Sequence, residues 1–274
     1  MEPQNRKVYV ITGATSGIGK ALLEEFSKDS IVFAGYRNAR YEAELSKLPD
    51  VIPFFIDMEK PYTINGAAEF IKHKTDRVDV LINAAGCVVA GAVEHIATSR
   101  IRKQFEVNTF SHLEFTQKLL PLLNEGRVIN ISSMASFGIF PFVAPYCASK
   151  RALDILFNSM SLEMHDGPEI ISVKPGVIAT PLWQKSVELN KSALENDEEY
   201  SKEMRYMEAN ALKNGQKGLP VERVVKLIKK VSITKNPKPS YTVGVDAFFA
   251  ELISKLPQNL INFLIKTGMK KKFG

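Results

Sequence analysis

The sequence predicts a single doubly wound parallel α/β sheet with helices on both faces. Three observations carry this. Short runs rich in β-branched residues recur between residues 7 and 174, each is apolar throughout rather than alternating, and longer segments of helical period lie between them. A strand apolar on both sides must be covered on both sides. Strands separated by a helix return parallel through right-handed crossovers, which winds the sheet outward in two directions.

The elements follow in order. KVYVIT (7–12) is the first strand and runs through TGATSGIG (12–19) into a helical stretch at Lys20–Lys28. SIVFAG (30–35) and VIPFFI (51–56) are the second and third strands, and VDVLIN (78–83) precedes one long helical segment, Ile101–Leu123. GRVINIS (126–132) leads to the helix Ala148–His165, which DGP (166–168) should stop, with the glycine as a left-handed cap and the proline as a barrier. EIISVK (169–174) is the sixth strand. Residues 181–219 then turn charged, yet Tyr200, Met204, Met207 and Ala211 keep helical spacing. An insertion beyond the carboxyl end of a strand lies where open α/β sheets bind ligands, so this one reads as a helical substrate lid. A last strand at Tyr241–Val243 is followed by a C-terminal helical extension (246–274). Its two short amphipathic helices around Pro257 carry Phe248, Phe249, Leu252, Ile253 and Leu256 on one face, continued by Leu260, Ile261 and Leu264. No repeat or low-complexity stretch interrupts residues 1–274, and the length suits one domain.

Composition narrows the class. With 45% hydrophobic and 24% charged residues the chain is an ordinary globular sequence. MEPQNRKVYVIT lacks the pattern of a secretory leader, and no apolar run is long enough for a bilayer span. Cys87 and Cys147 have no metal-ligand spacing, so no metal site is expected, and a reducing, cytoplasmic setting is. The net charge of +6 is partly held by the tail IKTGMKKKFG, read as a solvated end, with weak peripheral attraction to an anionic membrane surface as its functional alternative. No basic stripe interleaved with aromatics suggests nucleic acid. His73, His95, His112 and His165 fall in no pattern and read as structural or surface residues.

The first strand-to-helix turn is the place to bind a phosphate. Gly13, Gly17 and Gly19 permit a tight turn, while the backbone of Thr15, Ser16 and Ile18 opens the helix whose unpaired N–H groups and positive end attract an anion. At the end of the second strand, AGYRN places Tyr36 and Arg37 where an NAD site carries an acid. A guanidinium suits a 2′-phosphate, which favours NADP(H), with NAD(H) as the alternative. Asp57, in FIDME, is a candidate acceptor for the adenine amino group.

TGATSGIG is followed in order by NAAG (83–86), Asn108 in VNT, NISS (130–133), YCASK (146–150) and PGVIAT (175–180). This series closely resembles the classical short-chain dehydrogenase/reductase family, over about residues 5–245, with Ala84 as the one departure from the common NNAG. The resemblance implies a Rossmann-type oxidoreductase. Tyr146 would be the general acid in reduction and the base in oxidation, with Lys150, one helical turn on, lowering its pKa and binding the nicotinamide ribose. Ser133, thirteen residues before Tyr146, would hold the substrate oxygen, and Asn108 would hold a water linking Lys150 to solvent. Asn83, Ala84 and Gly86 would line the cofactor cleft, and Pro175, Gly176, Ile178 and Thr180 would face the nicotinamide.

For the substrate, SFGIFPFVAPY (136–146) and the lid offer Phe140, Phe142, Trp183, Met204 and Met207 as an apolar wall. That suits a small hydrophobic ketone or secondary alcohol with one anchored oxygen. The tail KPSYTVGVDAFFAELISKLPQNLINFLI (238–265) looks like that of the 17β-hydroxysteroid-dehydrogenase-like and retinol-dehydrogenase-like branch, which implies steroid-, retinoid- or lipid-like substrates and a place in lipid metabolism. A reductase of smaller carbonyl compounds or of a lipid-synthesis intermediate is the nearest alternative, and a catalytically silent NADP-binding regulatory protein a more distant one. Relatives of this kind form homodimers or homotetramers.

Overall fold

The computed structural model describes residues 6–274, with the side chains of 192–196 outside the description. The first five residues, part of the stretch read as lacking a leader, therefore lie outside it too. Seven strands form one parallel sheet: β1 (Val8–Ile11), β2 (Ile31–Tyr36), β3 (Val51–Phe55), β4 (Val80–Asn83), β5 (Arg127–Ile131), β6 (Glu169–Pro175) and β7 (Ser240–Val243). Their order is β3-β2-β1-β4-β5-β6-β7, so the chain starts in the middle, winds outward to β3, and crosses back to build the other half. All seven expected strands are present. The switch from one direction to the other lies between β1 and β4, and a cleft opens there at the carboxyl ends.

Strand alternation divides the core. Tyr9 and Ile11 of β1, with Val32 and Ala34 of β2, face α1 (Gly17–Phe26), the single turn α2 (Glu42–Leu45) and α9 (Glu222–Val231). Val8, Val10 and Phe33 face the other way, against α3 (Pro61–Lys74), α5 (Ser111–Leu119) and α6 (Ala144–Glu163). Phe115 and Phe157 are completely buried in this second layer. Helices on both faces explain why the strands are apolar throughout.

Two local expectations need correction. The segment Ile101–Leu123 is not one regular helix. α4 (Thr98–Phe105) passes through a wider π-type turn at Glu106–Phe110 into α5, and a 3-10 turn at Leu120–Leu122 containing Pro121 ends it. The π-turn inserts extra backbone and carries the buried Asn108 toward the cleft. At the end of α6 the cap is Met164 in extended conformation, two residues before the DGP stop. Gly167 takes no left-handed conformation, and a Cβ there would press on the Met164 sulfur at 3.0 Å.

The 181–219 segment is a helical pair, α7 (Leu182–Asn196) and α8 (Ser201–Lys217), standing beyond the end of β6. Its base is pinched where the Leu219 N–H donates to the Val177 carbonyl (2.8 Å) and the Ala179 N–H to the Leu219 carbonyl (3.0 Å). The C-terminal extension forms α10 (Val245–Ile253) and α11 (Gln258–Phe273). At 16 residues α11 is longer than the short helix expected. A single row, Ile261, Ile265, Met269 and Phe273, turns inward from it.

Candidate active site

The cleft is built from its floor upward. Past β1, the Thr12 hydroxyl accepts from the N–H groups of Ala84 (3.0 Å) and Ala85 (3.2 Å), tying the end of β1 to the loop after β4. Gly13 then takes φ +66°, and a Cβ there would meet the Ala85 backbone at 2.9 Å. At Gly19 a Cβ would lie 2.3 Å from the Gly13 carbonyl oxygen, so only glycine lets α1 start this close to the turn. The first turn of α1 holds no acid, and the Ser16 hydroxyl does not cap its own helix but accepts from Lys185 Nζ of α7 (2.9 Å). Open N–H groups, a positive helix end and a lysine above them make a donor set suited to a phosphate, and its glycine cradle is one that a Cβ would fill.

At the outer edge, the exposed Arg37 lines the cleft and donates to Glu59 (3.0 Å), which also receives Lys103 at 2.7 Å. Tyr36 does not line the cleft. Its ring is buried in the core and meets Phe55 edge-on. Asp57 is buried and absent from the cleft lining, its Oδ1 accepting from the Glu59 N–H of its own loop (3.1 Å). Asn83 lies below the floor, donating to Asn130 (2.8 Å) and Thr116 (3.1 Å). Ala84, Gly86, Pro175, Gly176, Ile178 and Thr180 do line it.

At the inner end β5 and α6 bring Ser133, Tyr146 and Lys150 into one cleft wall. The Ser133 oxygen accepts from the Ala135 N–H (3.1 Å), opening the short turn Met134–Phe137, and the hydroxyl is bonded to the Tyr146 phenol. Lys150 Nζ donates to the Ile131 carbonyl (2.7 Å). Asn108, buried beneath, donates to the Cys87 carbonyl (3.0 Å) and the Ser149 hydroxyl (3.1 Å) and accepts from the Cys87 N–H (3.0 Å). Ser149 in turn donates to the Tyr146 carbonyl (2.8 Å), so Asn108 braces the helical turn that carries the tyrosine. Gly86 completes the packing, with the Asn108 oxygen 3.4 Å and Lys150 Nζ 3.8 Å from where its Cβ would stand.

The electrostatics differ from the sequence expectation. Burial pushes Tyr146 up to about 12, the Ser133 hydrogen bond opposes this, and Lys150 is not among the groups acting on it. Tyr146 keeps part of its surface on the cleft, so water there tempers the rise, but the phenol is neutral at neutral pH. Burial also pulls Lys150 down to about 8, against the attraction of Asp154 one turn further along α6. His112 lies beneath this wall, bonded to the Ala85 carbonyl (2.9 Å), and burial and Lys150 hold it down to about 3. It is a neutral structural residue.

The cleft measures about 1090 Å³ and runs from the glycine turn to α11. Phe140, Phe142, Trp183 and Met207 line it, while Met204 is wholly buried behind Phe142. Phe142 sits at φ +66°, a left-handed conformation that costs a bulky residue about 1 kcal/mol. Its ring is fixed edge-on against Tyr200 at the start of α8. Sequence reasoning missed Lys185, Glu59, Thr12 and the α11 residues Ile265 and Met269. Glu59 lay within the stretch read for Asp57, whereas no sequence signal marks a lysine in a charged helix as facing the glycine turn.

Comparison with known proteins agrees with this geometry. Residues 7–191 match the family model described as short chain dehydrogenase. The chain is 30% identical over 278 residues to the NADPH-dependent 3-dehydrocapnine reductase of Ornithobacterium rhinotracheale, covering 96% of this chain and 97% of that protein. It is 27% identical over 274 residues to the 3-ketodihydrosphingosine reductase of Bacteroides thetaiotaomicron, covering 97% and 98%. Among solved structures, a short-chain dehydrogenase from Streptomyces avermitilis superposes with a TM-score of 0.78 at 22% identity, covering 98% and 97%. Another from Burkholderia cenocepacia, in complex with NADP, gives 0.71 at 24% identity, covering 94% and 97%.

Proposed function

Since the chain belongs to the short-chain dehydrogenase/reductase family, we propose that it is an NADP(H)-dependent reductase of hydrophobic, lipid-like ketones. The observation that carries the reading is one cleft holding a glycine phosphate cradle at one end and Ser133, Tyr146 and Lys150 at the other. The apolar walls between Tyr146 and α11 favour a lipophilic substrate. Two relatives matched over nearly their whole length are named as reductases, and both names carry a position-3 dehydro or keto group. The first is named NADPH-dependent, which joins the exposed Arg37 in favouring the 2′-phosphorylated cofactor.

The nicotinamide cofactor, when bound, supplies the hydride. The N–H groups after Gly13 would hold its pyrophosphate, Arg37 its 2′-phosphate, and Lys150, Ile178 and Thr180 its nicotinamide end. The protein's task is then the proton. The Ser133 oxygen accepts from Ala135 and its hydroxyl bonds the Tyr146 phenol, so the two hydroxyls stand side by side where an entering substrate oxygen would replace that bond and accept from both. Tyr146, neutral because burial raises it, is in the form that gives a proton to the oxygen as charge develops there. Lys150, one helical turn along the same wall and brought down to about 8, gives up a proton more readily than a free lysine, and a water in the cleft would relay it to the phenol, with solvent then restoring the lysine.

The test is NADPH consumption across long-chain keto lipids, steroids, retinoids and small polar carbonyls. Turnover of the long-chain ketones, with NADH a poorer cofactor, is expected. Turnover confined to small polar carbonyls would overturn the substrate class, and an equal rate with NADH would overturn the cofactor preference.

A further inference from the structure

Helices α10 and α11 leave an unusual amount of apolar surface uncovered. Val245, Phe248, Phe249, Leu252, Ile253 and Leu256, then Leu260, Phe263 and Leu264, are each between 39% and 73% exposed. Summed over the two helices they present on the order of 800 Å² of apolar surface, against the few hundred that a monomer ordinarily leaves in one patch. Only Ala247 of α10 and Ile261 of α11 are buried.

The charges around this face are one-sided. Both acids in residues 245–274 are already engaged: the exposed Asp246 accepts from the Val177 N–H (2.7 Å) and the half-buried Glu251 from the Thr242 hydroxyl (2.8 Å). Lys255, Lys266, Lys270 and Lys271 are exposed and have no ion pair among the described residues. Aromatic and aliphatic side chains flanked by uncompensated lysines fit the interface of an anionic bilayer, where the rings enter the headgroup boundary and the ammonium groups meet phosphate. Among the described residues no helix is long and apolar enough to cross a membrane.

We infer that the α10–α11 face docks the protein on an anionic lipid surface. The same α11 supplies Ile265 and Met269 to the cleft wall, so docking brings the α11 end of the cleft to the membrane. The inference stands on the exposed face and its charge, and is independent of which ketone the cleft accepts.

The test is co-sedimentation of the full chain with vesicles of phosphatidylcholine containing about 30% phosphatidylglycerol, beside vesicles of phosphatidylcholine alone. Two variants accompany it: Phe248→Ser/Phe249→Ser/Phe263→Ser, and Lys255→Glu/Lys266→Glu/Lys270→Glu/Lys271→Glu. None of these residues lines the cleft, so NADPH binding and far-ultraviolet circular dichroism serve as folding controls. The wild type should pellet with anionic vesicles and much less with neutral ones. The phenylalanine variant should lose at least about tenfold in partitioning, and the lysine variant its preference for anionic lipid. A wild type that stays in the supernatant would overturn the proposal, as would either folded variant pelleting like wild type. A concentration-dependent dimer that the phenylalanine variant dissociates, without vesicle binding, would assign the face to a second copy instead.

Discussion

Arg37→Ala tests how the cleft reads its cofactor, and the structure sets the expected size. The guanidinium shares Glu59 with Lys103, at 3.0 and 2.7 Å, so two cations and one carboxylate stand at the outer edge of the cleft with a net charge of +1. A charge-assisted hydrogen bond contributes about 1.5–3 kcal/mol when well shielded. Arg37 is 65% exposed, which places it at or below the low end. About 1.4 kcal/mol, or tenfold, is the expected loss for NADPH, against less than about twofold for NADH, which lacks the phosphate. The carboxylate gives the second half of the argument. Glu59→Gln removes a negative charge from beside the phosphate position and frees both cations, so NADPH should bind about two- to fourfold tighter while NADH is nearly unchanged. Fluorescence titration of both cofactors at low and high salt measures this, and the NADPH effects should shrink at high salt. Equal losses for the two cofactors in Arg37→Ala would refute the reasoning, and so would weaker NADPH binding in Glu59→Gln.

Two other perturbations address the turn and the lid. Gly19→Ala drives a Cβ to 2.3 Å from the Gly13 carbonyl, so α1 must move away from the turn; thermal unfolding should show a loss of about 3 kcal/mol or more, with NADPH binding abolished. Binding within a few-fold of wild type would contradict the close-packing argument. His95 holds the α7–α8 connection through Asp197 (3.0 Å), a contact that raises its pKa, beside the Tyr200–Glu94 hydrogen bond. A raised pKa means the imidazolium contact is fully present below the unfolded value near 6.5 and is lost as pH rises through the folded one. Hydrogen-exchange protection around residues 197–200, corrected for the intrinsic base-catalysed rate at each pH, should therefore be lower at pH 8.5 than at pH 6, and Asp197→Asn should remove that difference.

The sheet was legible because the strands advertise burial on both faces and the glycine turn has few other uses. Cleft residues were legible where a motif fixes position, as at Ser133, Tyr146 and Lys150, which share one wall. Side-chain direction was not. Tyr36 and Asp57 both lie at the ends of strands beside the cleft, yet a one-residue alternation turns Tyr36 into the core, and a local turn claims the Asp57 carboxylate. Met204 shows the same limit on a helix: periodicity put it on the lid's apolar face but could not distinguish the cleft from the layer behind it. The break at Asn108 was hidden because a π-turn leaves apolar spacing almost intact. The Tyr146–Lys150 spacing correctly placed phenol and amine one turn apart, but not the Ile131 carbonyl that holds the amine.

The central claim is that Tyr146 delivers the proton. Tyr146→Phe keeps the ring in its packed place and removes only the hydroxyl that Ser133 touches. Single-turnover reduction of an accepted ketone, measured together with NADPH affinity, should show kcat lower by about 10²–10⁴ with cofactor affinity within about twofold of wild type. A variant that turns over at a rate near wild type would contradict the account directly.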